Sequence, residues 1–359
     1  MIPVTKPFCP PKEKYIELIN GIWERNWLTN NGPLLNQFEL NLKKYLGLEH
    51  LLFLGNGTIA IQIALKALKI TKKVITTPFS HIATTSSLAW EGCEPVFVEI
   101  DPQTLNIDPA QIERAIDEDT EAILATHCFG NPCDIDGIDS LAKKYNLKVI
   151  YDAAHCFGTT YRGKSIFDFG DISTTSLHAT KIMHSIEGGL VFTKSPELLK
   201  TMYHMRNFGH NGPEDFTGVG INGKNSEFHA AMGLLNLQYV DGILERRERQ
   251  YRLYNELLLD LEKENQLLNE DGVSNFSYYP IILPSEDILV KMKLALEASE
   301  IFPRRYFYPS LSSLSYLKSN CLTPVSDSIS KRVLCLPLYH SLTEIEQRLI
   351  SNILLKNQN

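Results

Sequence analysis

At 359 residues, with 43% hydrophobic and 21% charged side chains, the chain is long enough for two packed units and too ordinary in composition to be disordered. Its net charge is −7, and the one arginine-rich patch, Arg246-Arg247-Glu248-Arg249, has helical neighbours and reads as a solvated face, so nucleic acid is not an expected partner. No apolar run reaches the roughly 18 residues of a membrane span, the first residues lack the form of a signal peptide, and the seven cysteines are scattered without a Cys-x-x-Cys. These features argue against a disulfide framework and a metal site and lead us to expect a reduced, cytoplasmic protein.

In chain order, residues 15–23 have helical spacing and run into Trp27-Leu28-Thr29-Asn30-Asn31-Gly32-Pro33, whose Asn-Asn-Gly-Pro is turn chemistry. Residues 35–46 form an amphipathic helix, with Leu40 off its apolar face. Leu51-Leu52-Phe53-Leu54 is a buried strand entering Gly55-Asn56-Gly57-Thr58, and a helix follows over 59–68. A strand, a glycine turn and a helix start suit an anion, because the first helical N–H groups have no acceptor of their own. The turn lacks the Gly-Lys-Ser/Thr of a Walker loop and the spacing of G-x-G-x-x-G, and such a turn taken alone is usually just a connection.

Strands and helices then alternate. Strands are predicted over 74–77, 95–100, 122–126 and 147–151, with helices over 82–90, 109–115 and 138–145 between them. This pattern predicts a mostly parallel sheet sandwiched by helices, with a crevice at the carboxyl ends of its strands. A strand over 190–193, a helix over 198–205, a glycine-rich loop over 208–223 and a helical region over 226–261 complete a large unit spanning 1–240. The remainder, 241–359, with strands at 278–283 and 333–337 and a helix over 288–299, reads as a smaller α/β unit.

The chemistry concentrates in Thr174-Thr175-Ser176-Leu177-His178-Ala179-Thr180-Lys181, followed by Glu187-Gly188-Gly189. Lys181 stands among small and hydroxylated residues, the setting of an enclosed amine whose pKa is lowered by desolvation. Its neighbourhood alone also fits a loop lysine, with Asp171 and Glu187 as its nearest carboxylates in sequence. Asp152 decides between these readings. It ends a buried strand, where a carboxylate needs a partner, and a cationic ring nitrogen is one. Pyridoxal phosphate requires a lysine, a carboxylate for its pyridine nitrogen and an anion cradle. Lys181, Asp152 and the Gly57-Thr58 helix start, helped by Ser176, supply them, with His81 and His155 placed to sandwich the ring.

These motifs resemble the DegT/DnrJ/EryC1/StrS family of sugar-nucleotide aminotransferases, fold type I enzymes with the aspartate aminotransferase-like architecture. The resemblance runs nearly end to end, through residues 27–33, 55–58, Thr77-Pro78-Phe79-Ser80-His81-Ile82-Ala83-Thr84, Asp152-Ala153-Ala154-His155, 176–181, 187–189 and Gly220-Ile221-Asn222-Gly223-Lys224. It implies that Lys181 holds pyridoxal 5'-phosphate as an internal aldimine and carries the proton, with pyridoxamine phosphate as intermediate. It further implies that Asp152 pairs with the pyridine nitrogen, that Gly57, Thr58 and Ser176 hold the phosphate, and that His155 lies beside the ring. Asn222 is expected to reach the phosphate of a neighbouring subunit in a homodimer. Two positions depart from the family: His81 replaces the usual Phe, Tyr or Trp ring-stacker, and Leu177 replaces a Phe.

Within the family, residues 27–33 and 222–224 look most like enzymes that aminate C4″ of dTDP-4-keto-6-deoxyglucose with L-glutamate as donor, for surface polysaccharide (O-antigen) biosynthesis. Motifs beside the cofactor do not distinguish C3″ from C4″, or dTDP from GDP or UDP. A dehydratase of the same family carries His where this chain has Lys181, which argues against that reaction, and a non-catalytic cofactor-binding sensor is the reading from a different class. Candidate substrate residues are Thr29, Asn30, His178, His210 and Tyr306. The 304–309 segment either borders the nucleotide or sugar or is solvated, and His184 lies beside the site motifs.

Overall fold

The computed structural model describes residues 1–317 and 321–358. Two helices, α1 (Lys12–Arg25) and α2 (Pro33–Leu46), precede the first strand of the central sheet, β1 (Leu51–Leu54). Then follow α3 (Gly57–Ala67), β2 (Lys73–Thr76), α4 (Ile82–Trp90), β3 (Glu94–Phe97), α5 (Pro109–Ala115), β4 (Thr120–Thr126), α6 (Ile135–Tyr145), β5 (Lys148–Asp152), β6 (Ile172–Ser176) and β7 (Gly189–Phe192). The seven strands lie in the order β1-β7-β6-β5-β4-β2-β3. All neighbours are parallel except that β7 runs antiparallel to both β1 and β6.

The strands read as continuous apolar runs because both faces of the sheet are covered. Side chains alternate across a strand, so Leu51 and Phe53 enter one core while Leu52 and Leu54 enter another. Tyr151 and Ile150 divide in the same way. As predicted, the sheet is mostly parallel and sandwiched by helices, and the carboxyl ends of β1, β2, β5 and β6 come to one edge. Because β7 is reversed, its first residue, Gly189, reaches that same edge.

The Asn-Asn-Gly-Pro turn is held by charges that the sequence does not place together. Pro33 opens α2, and the backbone N–H groups of Leu34 and Leu35, which have no acceptor within the helix, donate to the fully buried carboxylate of Glu227 at 3.0 and 2.8 Å. A helix start is where a buried carboxylate is stabilised. Beside it, Arg206, 2% exposed, pairs with Glu39 at 2.6 Å and donates to the carbonyl of Phe53 and the side chain of Asn31. One guanidinium thus ties the turn, α2 and β1 together.

After α7 (Pro196–Met205), the helical region predicted over 226–261 consists of two helices, α8 (Glu227–Leu237) and α9 (Val240–Leu257). The apolar pattern runs through both without marking the break. On α9 the solvated-face expectation fails at Arg247, which is 3% exposed and donates to the carbonyls of Ser277 and Phe276. A small antiparallel sheet of β8 (Glu264–Asn265), β9 (Tyr279–Ile282) and β10 (Val333–Leu336) packs with α9, α10 (Glu286–Glu297) and α12 (Glu344–Lys356) around Tyr254, Leu289, Met292 and Ile350. Between α10 and β10 lies α11 (Pro324–Arg332). Strand pairs also join residues far apart in the chain: Ile2–Pro3 pairs with Ile301–Phe302, and Gly272–Val273 pairs with Thr160–Tyr161.

Candidate active site

A cavity of about 370 Å³ opens at the carboxyl edge of the sheet. Its walls include Gly57, Thr58, His81, Asp152, His155, Ser176, His178, Lys181 and Tyr306, which the sequence singles out, together with Glu187, Tyr278 and Arg304. Residues more than a hundred positions apart in sequence meet here because β1, β5 and β6 end on one edge.

At one end, Asn56 caps α3 by accepting from the Ile59 N–H at 2.9 Å. The N–H groups of Gly57 and Thr58, first in the helix, have no acceptor within it. The turn is closely packed: a side chain at Gly189 would place its Cβ 2.3 Å from the Asn56 carbonyl oxygen and 2.7 Å from the Gly57 nitrogen, and one at Gly57 would come within 3.1 Å of the Ser176 Cβ. The glycines therefore let β7 and Ser176 press against the helix start, leaving N–H groups and hydroxyls as the surface offered there.

Farther in, the Asp152 side chain is buried, 5% exposed, at the last position of β5. One carboxylate oxygen accepts from the Thr84 hydroxyl at 2.7 Å and the other from the Ala154 N–H at 3.1 Å. Thr84 is itself bonded to Ser80, which reaches Thr126 at 3.0 Å. This chain of hydroxyls fixes the carboxylate and leaves it capacity for one more partner. Sequence reasoning missed Thr84; the signal was the hydroxyl run Thr84-Thr85-Ser86-Ser87 in an otherwise apolar helix.

Lys181 hangs on the loop joining β6 to β7. That loop is cross-tied by Leu177 N–H to the Gly188 carbonyl, Ala179 N–H to the Ile186 carbonyl and Lys181 N–H to the His178 carbonyl. Burial brings the Lys181 ammonium down to about 8, opposed by the Asp152 carboxylate and assisted by the Arg304 cation. The carboxylate that acts on it is Asp152, across the sheet edge. Asp171, closer in sequence, is occupied with Lys148 and the Val149 N–H.

His81 caps α4, its Nδ1 accepting from the Ala83 N–H at 3.2 Å, so its proton lies on Nε2. Desolvation by the cavity walls and the Lys181 charge hold it below its ordinary pKa, and the ring is neutral. His155 is buried and kept neutral by that burial and by Lys181. It lies parallel to Phe129 and Phe307, and its Nδ1 has no partner among the described residues. His178 bonds Thr180 at 2.8 Å and faces Glu187 at 3.6 Å.

Other expected residues lie outside the cavity of their own chain. Asn222 accepts from Lys224 at 2.8 Å, Thr29 donates to the Asn225 carbonyl, and His210 packs on Phe216 in the glycine loop. Asn30 sits in the left-handed region at φ +61°. His184 is structural, with Nε2 donating to the Phe8 carbonyl at 2.7 Å because Nδ1 accepts from Ile186.

The site therefore presents helix-start N–H groups and hydroxyls at one end, a fixed buried carboxylate deeper in, an amine of lowered pKa, and a buried imidazole nitrogen with no partner among the described residues. A ligand with a phosphate, a basic ring nitrogen, a ring hydroxyl and a carbonyl matches these features, and pyridoxal phosphate has all of them.

The family model for DegT/DnrJ/EryC1/StrS aminotransferases matches residues 11–354. The chain belongs to that family. As a DegT/DnrJ/EryC1/StrS aminotransferase it is similar to the dTDP-4-amino-4,6-dideoxy-D-glucose transaminase of Shigella dysenteriae, 42% identical over 98% of this chain and 97% of the relative. The transaminase of that name from Escherichia coli is 36% identical over 96% and 95%. Among solved structures, that of DesI in the presence of its TDP-sugar product superposes with a TM-score of 0.94 at 29% identity, covering 99% of this chain and 92% of that one. The fold matches the type I expectation, and a transaminase family matches the Lys181-Asp152 cavity.

Proposed function

We propose that this aminotransferase uses pyridoxal phosphate to move an amino group from L-glutamate to the 4-keto carbon of dTDP-4-keto-6-deoxyglucose, yielding dTDP-4-amino-4,6-dideoxyglucose. The observation that carries the reading is the 42% identity, over almost the whole chain, to a relative named for that product, together with Lys181 and Asp152 facing one cavity.

Bound pyridoxal phosphate supplies an electron-accepting ring that makes a C–H bond beside the transferred nitrogen acidic. The residues divide the remaining work. Gly57, Thr58 and Ser176 hold the phosphate, and Asp152, fixed by Thr84 and Ala154, keeps a proton on the pyridine nitrogen. The His155 ring nitrogen that lacks a protein partner serves the ring's polar substituent, while the neutral His81 ring covers its face. Lys181, with its lowered pKa, would hold the cofactor through its amine and is the group placed to move a proton to and from the substrate carbon. His178 and Tyr306 border the sugar, and the same steps run in reverse when the keto sugar replaces the oxo acid.

The assembly follows from Asn222. We assign it to the phosphate of a partner subunit in a homodimer, with Thr29, Asn30 and His210 on the same shared face. Supporting this are exposed apolar side chains near those residues, among them Trp27, Leu28, Phe208 and Val219. We divide the chain into a cofactor-binding unit, 1–240, and a small unit, 241–359. We place the protein in the cytoplasm, consistent with cysteines scattered without a Cys-x-x-Cys, and its product in surface polysaccharide synthesis.

The test is spectroscopic. Purified enzyme is expected to be yellow and to lose that colour when glutamate is added, and Lys181→Ala is expected not to form the coloured linkage. Enzyme that holds cofactor but shows an unchanged spectrum with glutamate contradicts the proposal.

A further inference from the structure

The cavity faces an electrostatic demand that the residues assigned above do not meet. Resting on the aminotransferase reading, both reactants are anionic: the amino donor carries carboxylates and the sugar a diphosphate. The charged residues lining the cavity are Asp152, Glu187, Lys181 and Arg304. Asp152 and Glu187 repel an anion, and Lys181 would be engaged by the cofactor and not by the incoming reactant. Arg304 is the one permanent cation among the described lining residues, because a guanidinium does not deprotonate.

Its surroundings are those of a cation held ready. The Arg304 backbone exchanges hydrogen bonds with Cys335 at 3.1 and 2.8 Å, which fixes the segment against β10. The guanidinium lies over the Tyr306 ring, 4.8 Å from its centroid, and forms no ion pair with a carboxylate among the described residues. The adjacent arginine behaves differently. Arg305 pairs with Glu286 at 2.5 Å, bonds the Lys331 carbonyl and lies on Tyr308. Two consecutive arginines thus divide between the small unit's own packing and the cavity. The Arg304 charge is felt at both Lys181 and His81, where it lowers their pKa values, so it acts on the place where the donor's nitrogen must arrive.

We propose that Arg304 is the donor-recognition residue: it pairs with a carboxylate of the incoming amino acid and releases it as the oxo acid departs. Planar guanidinium–carboxylate pairing gives orientation as well as attraction, and Tyr306 holds the guanidinium flat for it. Neither nucleotide nor phosphate recognition is assigned to it.

Arg304→Gln and Arg304→Lys test this, since the side chain is exposed and its loss leaves no buried group unpaired. Loaded enzyme is titrated with L-glutamate and the half-saturating concentration read from the loss of yellow colour, while binding of dTDP is measured by calorimetry. The half-saturating glutamate concentration is expected to rise roughly 10- to 100-fold in Arg304→Gln and to recover partly in Arg304→Lys, the range of a charge-assisted hydrogen-bonded pair. Affinity for dTDP is expected to stay within about twofold, as for a residue outside the nucleotide's contacts. Unchanged glutamate dependence in Arg304→Gln, or weakened dTDP binding in its place, overturns this inference while a glutamate-responsive wild type leaves the aminotransferase reading standing. A wild type that glutamate does not bleach overturns the donor assignment and this inference together.

Discussion

Lys181 is expensive to bury while charged. Its pKa is held at about 8 in the folded chain against 10.5 when free. The native state therefore binds fewer protons than the unfolded state between those values, and stability of the cofactor-free protein rises with pH across that window. Below about pH 8 the whole penalty is present. Lys181→Met is then expected to melt higher than wild type when both are cofactor-free near neutral pH, with the advantage shrinking above the folded pKa and gone beyond the free value. Calorimetric melting at several pH values checks this, and equal melting temperatures throughout would mean the amine is not desolvated. The hydroxyl beneath Asp152 is open to a similar trial. Thr84→Val keeps the shape but removes a donor to a buried carboxylate, and is expected to lower stability by about 1–3 kcal/mol in denaturant titration.

At the scale of elements, the phosphate end of the cavity depends on how closely β7 approaches the start of α3. A methyl at Gly189 would meet backbone atoms of Asn56 and Gly57, which cannot move aside as a flexible side chain would. Gly189→Ala is expected to weaken cofactor binding at least about tenfold by displacing that turn, with a smaller effect on folding. An unchanged dissociation constant for pyridoxal phosphate would show that the turn does not hold the phosphate.

This level also separates what the chain reveals on reading from what it conceals. The alternation of strands and helices, the strand-end position of Asp152 and the glycine turn at 55–58 are local patterns, and each falls where its periodicity or turn chemistry predicts. The Glu227 cap on α2, the Arg206–Glu39 pair and the break between α8 and α9 depend on partners far away in sequence, and no local pattern marks them. Arg247 shows the difference most plainly. Its neighbours are charged and helical, yet it is buried and donates to the distant carbonyls of Phe276 and Ser277. Asn222 is recognisable as a motif, but among the described residues its side chain bonds Lys224 and no cofactor-site residue.

For the whole molecule, the proposed sharing of the active site between two subunits makes a sharp prediction. Lys181→Ala in one subunit and Asn222→Ala in the other fall in the same site of a mixed dimer, so each hybrid keeps its second site intact. When two inactive variants are unfolded together and reassembled, activity is expected to return to about a quarter of wild type for random pairing. Separate variants, and mixtures that cannot exchange subunits, are expected to stay inactive. No recovery in a mixture whose hybrids are verified by native mass spectrometry would place Asn222 outside the partner's site.

The central claim, amino transfer from glutamate to a dTDP-linked 4-keto sugar, is tested most directly by running the two halves apart. Enzyme is first bleached with glutamate and freed of small molecules, then given dTDP-4-keto-6-deoxyglucose in stoichiometric amount, and the sugar is examined by NMR. The account predicts that the yellow colour returns and that the sugar bears nitrogen at C4″. Return of colour only with a 3-keto or a GDP- or UDP-linked sugar, or no return with any of them, would contradict it.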